Sequence, residues 1–394
     1  MRRKRITSQY LNVFVFLVFI TAAILLPWAC REVQDSPTHY YLTTNNQLLE
    51  YSYLSTRIYH QKGKVGNIDP GFFYPDTLLE KSYYLYTTAF YRSGRRSRIL
   101  RINPDKNKFD TLYRPEGKNR LGRNVYAYKD TLACIEKDYS IGERFLVLLQ
   151  PDKKAFKKIK VTGKLKRKHY YSVVFGADEV KGKRFWLIYI GFYPQWSMLK
   201  IWEEGKIEKL GISEMVPGYI DGVLITGDEQ MIVFSKIKAD GLEKIKTLPA
   251  EKGLVFHQGG GRNLDQHPTG ELYGVVKENR GSNKWKKVLR LDLKDLELTE
   301  VKSLENGIGS FHYCHPDAWY YSHSEYGSGE GKCILKGLYR LKQGMLELIK
   351  KFAPIDLDSE GNYFKVYDTG FVLKKDGKIS VYSLPGLTPI ILEK

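Results

Sequence analysis

An all-β ring of small antiparallel sheets is the fold class that this sequence of 394 residues predicts, and three observations predict it. Short runs rich in Tyr, Phe, Val and Ile recur beyond residue 38, polar turns separate them at a near-constant pitch, and no sustained amphipathic helix interrupts them. Hydrophobic content of 42% with 13% aromatics is ample for a packed interior and excludes wholesale disorder. No glycine period, sustained heptad or second long apolar run occurs, which excludes collagen, coiled coil and a multi-span membrane protein.

The chain begins with a basic patch, Met1-Arg-Arg-Lys-Arg5, followed by an apolar run of 17 residues from Val13 to Ala29. Basic and apolar regions in this order are the parts of an export signal, and the patch stays in the cytoplasm while the remainder of the chain is delivered outside. Residues 1–29 are expected to be a signal peptide or a retained signal anchor, because the run sits at the lower limit for spanning a bilayer. Leu25-Leu26-Pro27-Trp28-Ala29-Cys30 resembles a bacterial lipobox, in which a cysteine is lipidated and becomes the new N-terminus. Ala29 fits that pattern, whereas Pro27 and Trp28 depart from it. The resemblance implies lipidation at Cys30, a tether over 30–38, and a body facing the periplasm or the cell surface. Lysines and arginines number 63 against 44 acids, a net charge of +19. Removing the four cations of residues 1–29, which contain no acid, still leaves +15 on the exported part.

From residue 39 to 394 strands follow one another: Tyr83–Thr87, Arg144–Leu149, Phe185–Ile190, Gln230–Phe234 and Gly370–Leu373 are the clearest. Turns recur at Asn103-Pro104-Asp105, Gln150-Pro151-Asp152, Glu204-Gly205, Asp240-Gly241, Lys294-Asp295, Gln343-Gly344 and Asp376-Gly377. Their mean spacing is about 45 residues, the period of a four-stranded propeller blade. One such sheet cannot bury both faces alone, and radial stacking covers them while leaving only short edges. The expectation is a β-propeller of seven four-stranded blades. The final unit, Tyr363–Ser383, is short of strands, so the N-terminal hairpin Tyr41–Tyr53 is expected to complete it and close the ring by pairing of terminal strands. Two stacked β-sandwiches are the competing arrangement. In architecture the chain resembles the exported bacterial β-propellers, many of them lipoproteins. No blade signature is present, so the resemblance carries over no functional residues.

Chemistry-bearing residues are densest in Phe311–Glu325, where three of the eight histidines fall. His312, Cys314, His315 and His323 are candidate ligands for zinc or copper, although their spacing matches no established metal pattern and Pro316 breaks the strand. Cys314 and Cys333 also form a candidate disulfide, suited to an oxidising compartment and joined by the flexible Gly327-Ser-Gly-Glu-Gly331. Cys134, within Thr131-Leu-Ala-Cys-Ile135, reads as a buried small apolar residue. The loop around Gly259-Gly260-Gly261-Arg262 lacks the following helix that phosphate binding needs. No nucleophile elbow, Walker loop, Rossmann fingerprint or His-Glu-x-x-His occurs, and no cofactor is expected. Asp178, Glu179, Asp221, Asp228, Asp265 and Asp317 are acids whose pairing nothing in the linear sequence reveals.

Residues 153–168 are densely basic and contain no acid, and 92–98 form a second basic turn. Lys157, Lys158, Lys164, Lys166, Arg167, Arg95 and Arg96 are the candidates for binding an anionic surface, lipid headgroups or acidic polysaccharide. The competing reading is a solvated edge strand with Phe156 and Ile159 as its apolar positions. Nucleic acid would suit the charge but not the export signal or the absence of a binding motif. The function expected is therefore a non-enzymatic binding module of the cell envelope, with an unknown envelope protein or acidic glycan as partner. An exported glycan-active hydrolase or lyase, with its site in the central funnel, is the alternative.

Overall fold

The computed structural model describes residues 39–392 except 52–55, 60–65, 69–78, 82–83, 91–96, 118, 123, 139, 163–170, 193–194, 216, 221, 252–253, 257–269, 278–284, 302–307, 315–317, 327–332, 358, 360 and 368. The expected export segment and Cys30 lie outside the described residues, as do Arg95, Arg96, Lys164, Lys166, Arg167, His315 and the glycine-rich loop.

Every named element is a strand, and each sheet is built from strands consecutive in the chain. Sheet 1 comprises β1 (His39–Leu42), β2 (Leu48–Tyr51), β3 (Thr56–Tyr59) and β4 (Gly66–Ile68). Sheet 2 comprises β5 (Leu79–Lys81), β6 (Tyr84–Phe90), β7 (Ser97–Asn103) and β8 (Lys108–Tyr113). In sheet 3, β9 (Arg120–Leu121) and β10 (Tyr126–Tyr128) both pair with β11 (Thr131–Asp138), followed by β12 (Glu143–Gln150) and β13 (Ala155–Thr162). Sheet 4 has β14 (Tyr171–Val180), β15 (Lys183–Phe192), β16 (Gln195–Trp202) and β17 (Ile207–Ser213). Sheet 5 has β18 (Gly218–Ile220), β19 (Val223–Gly227), β20 (Met231–Lys238) and β21 (Gly241–Pro249). Sheet 6 has β22 (Leu254–Phe256), β23 (Glu271–Lys277), β24 (Trp285–Asp292) and β25 (Glu297–Val301). Sheet 7 has β26 (Ile308–Cys314), β27 (Ala318–Tyr326), β28 (Cys333–Lys342) and β29 (Met345–Asp356). The last sheet, of three strands, is β30 (Tyr363–Val366), β31 (Gly370–Lys375) and β32 (Lys378–Ser383).

The turns follow from their residues. Lys181-Gly182, Gln343-Gly344 and Asp376-Gly377 each hold two successive residues at positive φ, the geometry that matches the twist of a two-residue hairpin. The longer turns at Pro104–Asn107 and Pro151–Lys154 end instead on one residue at positive φ, Asn107 or Lys154.

Apolar clusters bind each sheet to the next. Tyr86 and Ile99 of sheet 2 meet Leu132 and Val147 of sheet 3, whose Leu146 and Ile159 meet Trp186 and Ile188 of sheet 4. Sheet 4 meets sheet 5 through Phe185 and Leu224; sheets 5, 6 and 7 share one cluster, and sheets 7 and 8 meet through Phe352 and Phe371. Sheet 1 packs between sheets 2 and 8, with Leu49, Leu100 and Val372 in one cluster. The contacts thus run round a closed ring, a β-propeller. First strands β10, β14 and β18 approach one another, whereas fourth strands such as β17, β21 and β29 carry few buried side chains. First strands therefore line the middle and fourth strands the periphery.

The all-β propeller is the fold the sequence predicts, and seven sheets have four strands or more. Closure differs from the expectation. Among the described strands β1 pairs with β2 alone, because β3 and β4 complete its own sheet. The three-stranded sheet is finished by the chain's tail: Tyr382 bridges Pro389, and the Ile390 amide donates to the Val381 carbonyl at 2.8 Å. Sheets 8 and 1 then close the ring face to face. The Tyr367 hydroxyl donates to the Tyr40 carbonyl, Thr369 Oγ1 donates to the Thr43 carbonyl at 3.2 Å, and Tyr41 meets Tyr367 edge-on.

Candidate functional site: the hairpin-end mouth of the ring

Strands alternate in direction, so the ring has two distinct ends. First strands begin at one, the leading end, which contains His39. At the other, the hairpin end, each first strand turns into its second. There the inner strands of three neighbouring sheets bring polar groups together around Asp178, near the end of β14.

Tyr219 of β18 donates its hydroxyl to Asp178 Oδ2 at 2.5 Å, and Tyr128 of β10 approaches Oδ1 at 3.5 Å. The Glu179 amide donates to the same Oδ1 at 2.7 Å, fixing the carboxylate from behind. Gly176 makes this approach possible. A Cβ there would lie 2.9 Å from Tyr219 Cβ and 3.0 Å from Leu187 Cδ1. Two ion pairs flank the carboxylate: Lys129 with Glu179 at 2.6 Å, and Arg184 with Asp130 at 2.8 Å. Arg184 also donates to Thr131 Oγ1 at 3.3 Å.

The electrostatics follow from these contacts. Burial, then the Asp178 carboxylate, pushes the Tyr128 phenol above its ordinary range, so it remains a neutral donor. The hydrogen bond from Lys129 holds the Glu179 carboxyl below the usual carboxylate range and holds the ammonium up in return. Partial burial opposes the ionisation of Asp130, and the Arg184 and Thr131 bonds outweigh it. With two cations against three carboxylates the cluster carries one formal negative charge in excess. Asp178 and Tyr128 are half-buried, whereas Tyr219 is buried with its hydroxyl on the carboxylate.

The cysteines, histidines and lysines singled out in the sequence fall elsewhere. Cys134 is fully buried, as expected, and burial pushes its thiol up. The disulfide does not agree with the register. Cys314 pairs with Ala318 at the start of β27 and Cys333 with Tyr326 at its end. Eight residues of extended strand separate those positions by roughly 26 Å, whereas a disulfide needs Cα atoms within about 7 Å. The metal candidates are also spread out. His312 pairs with Tyr320 and His323 with Gly309, an offset of three residues along β27, and His323 Nδ1 lies 3.2 Å from the Tyr321 hydroxyl. Among the described residues no group of three or more His, Cys, Asp or Glu is placed to hold a metal ion.

The basic stretch is an outer strand, as the sequence suggests, with Phe156 57% exposed and Ile159 buried. Its lysines have protein partners. Lys157 donates to the Glu203 carbonyl of sheet 4 at 2.6 Å. Lys158 pairs at 2.6 Å with Glu136, whose side chain is 0% exposed and also accepts from Tyr113 and Asn119. Lys160 pairs with Glu143 at 2.5 Å. A strand read as presenting free lysines to an anionic surface therefore spends Lys157 and Lys158 on internal contacts.

Of the mouth residues, the sequence draws attention to Asp178 and Glu179 only as two acids among many. Tyr128, Asp178 and Tyr219 fall within the last three residues before the first hairpin turn in successive sheets. Superposing the repeats at those turns is the signal that would have found them.

No protein-family model matches the chain, and comparison with curated proteins finds no match. Among solved structures, apo AztD from Citrobacter koseri is similar at a TM-score of 0.51 and 12% identity, over 89% of this chain and 92% of that one. A prolyl endopeptidase gives a TM-score of 0.50 at 10% identity, over 80% of this chain and 49% of that one. Puromycin hydrolase gives 0.48 at 10% identity, over 89% and 58%. The chain thus spans about half the length of the two hydrolytic enzymes. At such identities the likeness is one of fold: this chain is a β-propeller similar in architecture to AztD.

Proposed function

We propose that the chain is a tethered, non-enzymatic binding propeller of the bacterial cell envelope, exported by residues 1–29 and lipidated at Cys30. Its ligand, an envelope protein or glycan, is held at the hairpin-end mouth. One observation carries this reading: Asp178, Tyr128 and Tyr219 converge from three sheets, flanked by the Lys129–Glu179 and Arg184–Asp130 pairs. Mutual pairing fixes these side chains before any ligand arrives, which lowers the ordering cost of binding.

Two measurements in one strain test it. Labelling cells with a radioactive lipid precursor gives incorporation that disappears in Cys30→Ser, since the thiol carries the lipid. A photo-cross-linking residue at the exposed Lys183 yields a discrete adduct in cells, lost when Asp178→Asn is added. A labelled protein without any mouth adduct would sink the binding site and leave the tether standing.

A further inference from the structure

We infer that the ligand of the hairpin-end mouth is a glycan with an anionic group, a uronate carboxylate or a sugar phosphate, and that the half-buried ammonium of Lys81 receives it. This rests on the reading of that mouth as a binding site. Lys81 is the last residue of β5 and pairs with Tyr84 across the first turn of sheet 2. Tyr128, which pairs with Thr131, holds the corresponding place in sheet 3, so both residues lie at the hairpin end of neighbouring inner strands. Successive side chains of a strand point to opposite faces. Glu80 turns toward sheet 1, where the Thr44 amide donates to its carboxylate at 3.0 and 3.1 Å. Lys81 therefore turns the other way, toward sheet 3, whose Asp130 and Asp152 are the carboxylates that act on it through space.

Both carboxylates are engaged elsewhere. Asp130 Oδ1 accepts from Arg184 at 2.8 Å and from Thr131 Oγ1 at 3.1 Å, and its Oδ2 accepts from Gln150 at 3.3 Å. Asp152 meets Arg101 at 3.5 Å. Among the described residues Lys81 makes no hydrogen bond or ion pair. Partial burial, the largest effect, pushes its ammonium below the ordinary lysine range, and attraction from Asp130 and Asp152 opposes this without cancelling it. A half-buried cation without a partner is costly, and an incoming anion removes that cost. Asp178 is the counterpart. Phenol and amide donors reach it, and among the described residues it forms no ion pair. An acidic glycan supplies hydroxyl donors to the carboxylate and an anion to the ammonium.

The test follows acetylation of Lys81 by an amine-reactive ester in the full lipidated protein in detergent, read by mass spectrometry. Oligogalacturonate, inorganic phosphate and neutral maltohexaose are the probes. An anion on Lys81 both covers the amine and holds its proton. Oligogalacturonate or phosphate should therefore slow it about threefold or more, and the probe that does so identifies the source of the anion. Lys209 on the periphery and Lys375 and Lys378 at the leading end, all exposed, should react as before, which separates a site from general attraction to a basic chain. Equal protection by maltohexaose, protection of none of these lysines, or protection of all alike overturns the inference. In cells, Lys81→Gln should remove the Lys183 adduct and leave the melting temperature unchanged, because an ammonium without a partner holds nothing together. A retained adduct, or one formed with a protein instead of a glycan, takes Lys81 out of the site while the mouth stands. A lowered melting temperature makes its role structural. Protection that survives Asp178→Asn keeps the anion site and refutes the Asp178 site, a separate outcome.

Discussion

Lys158 shows how a single residue read as surface charge becomes structural. Its ammonium reaches Glu136, which is fully buried, while keeping 26% exposure itself. Removing one partner of a buried pair typically costs about 3–5 kcal/mol, because the other charge is left without compensation. Lys158 is partly exposed and Tyr113 and Asn119 remain on Glu136, so Lys158→Gln should cost roughly 2 kcal/mol by urea melts. Lys153→Gln, on the exposed turn beside it, should leave the midpoint unmoved. Glu208 offers a titration. Burial pushes its carboxyl up, but hydrogen bonds from Lys200, Lys206 and Trp202 outweigh this and hold it at about 2, against an ordinary 4.5. A depressed pKa means that the folded state favours the ionised form. The stabilisation is present above pH 4.5 and is lost as pH falls toward 2. Glu208→Gln should accordingly melt earlier than wild type at pH 6 and approach it near pH 2. A gap that stayed constant over that range would contradict the assignment. None of these partnerships is legible in the linear sequence, since Glu136 and Lys158 sit on strands separated by β12.

Elements were more readable than contacts. Gln343-Gly344 and Asp376-Gly377 announce hairpins because two successive positive φ angles suit few residue pairs. The lysines crowded around Phe156 and Ile159 mark an outer strand, because charge protects an exposed edge. Register is a different matter. The positions of Cys314 and Cys333 at opposite ends of sheet 7 depend on how β26, β27 and β28 align, and a flexible linker says nothing about that alignment. Gly176 is a further case, since its requirement comes from Tyr219 in the next sheet. Gly176→Ala should displace the Tyr219 ring and break its bond to Asp178. The expected result is a drop in Tm of several degrees together with loss of the mouth cross-link. Tyr219→Phe should lose the cross-link with a smaller thermal effect, because the ring still packs.

At the scale of the molecule, pitch and composition were enough to foresee a propeller, since stacked sheets are the way many short strands hide both faces. Closure was not foreseeable. The three-stranded sheet looks incomplete in sequence, and nothing there shows that residues 388–390 run back along β32. Sheet 1 instead works as a full blade between sheets 2 and 8. Deleting 39–51 would remove β1 and β2 and uncover apolar faces on both neighbours. The truncated protein should bind a hydrophobic dye and lose a single sharp melting transition. Unchanged melting would show that sheet 1 does not close the ring.

Because every sheet uses consecutive strands, each ladder can form as soon as its own stretch of chain is free, from contacts close in sequence. One seam is different: the Tyr367 hydroxyl and the Tyr40 carbonyl lie 327 residues apart. The oldest sheet to emerge must therefore wait, one face uncovered, until the youngest is made. A chain halted before residue 363 holds seven sheets and an open gap, and ring closure is the last act of assembly. The same seam permits rewiring. Joining residue 392 to residue 39 through a short linker and cutting between sheets 6 and 7 would leave every ladder intact while moving the moment of closure to another interface.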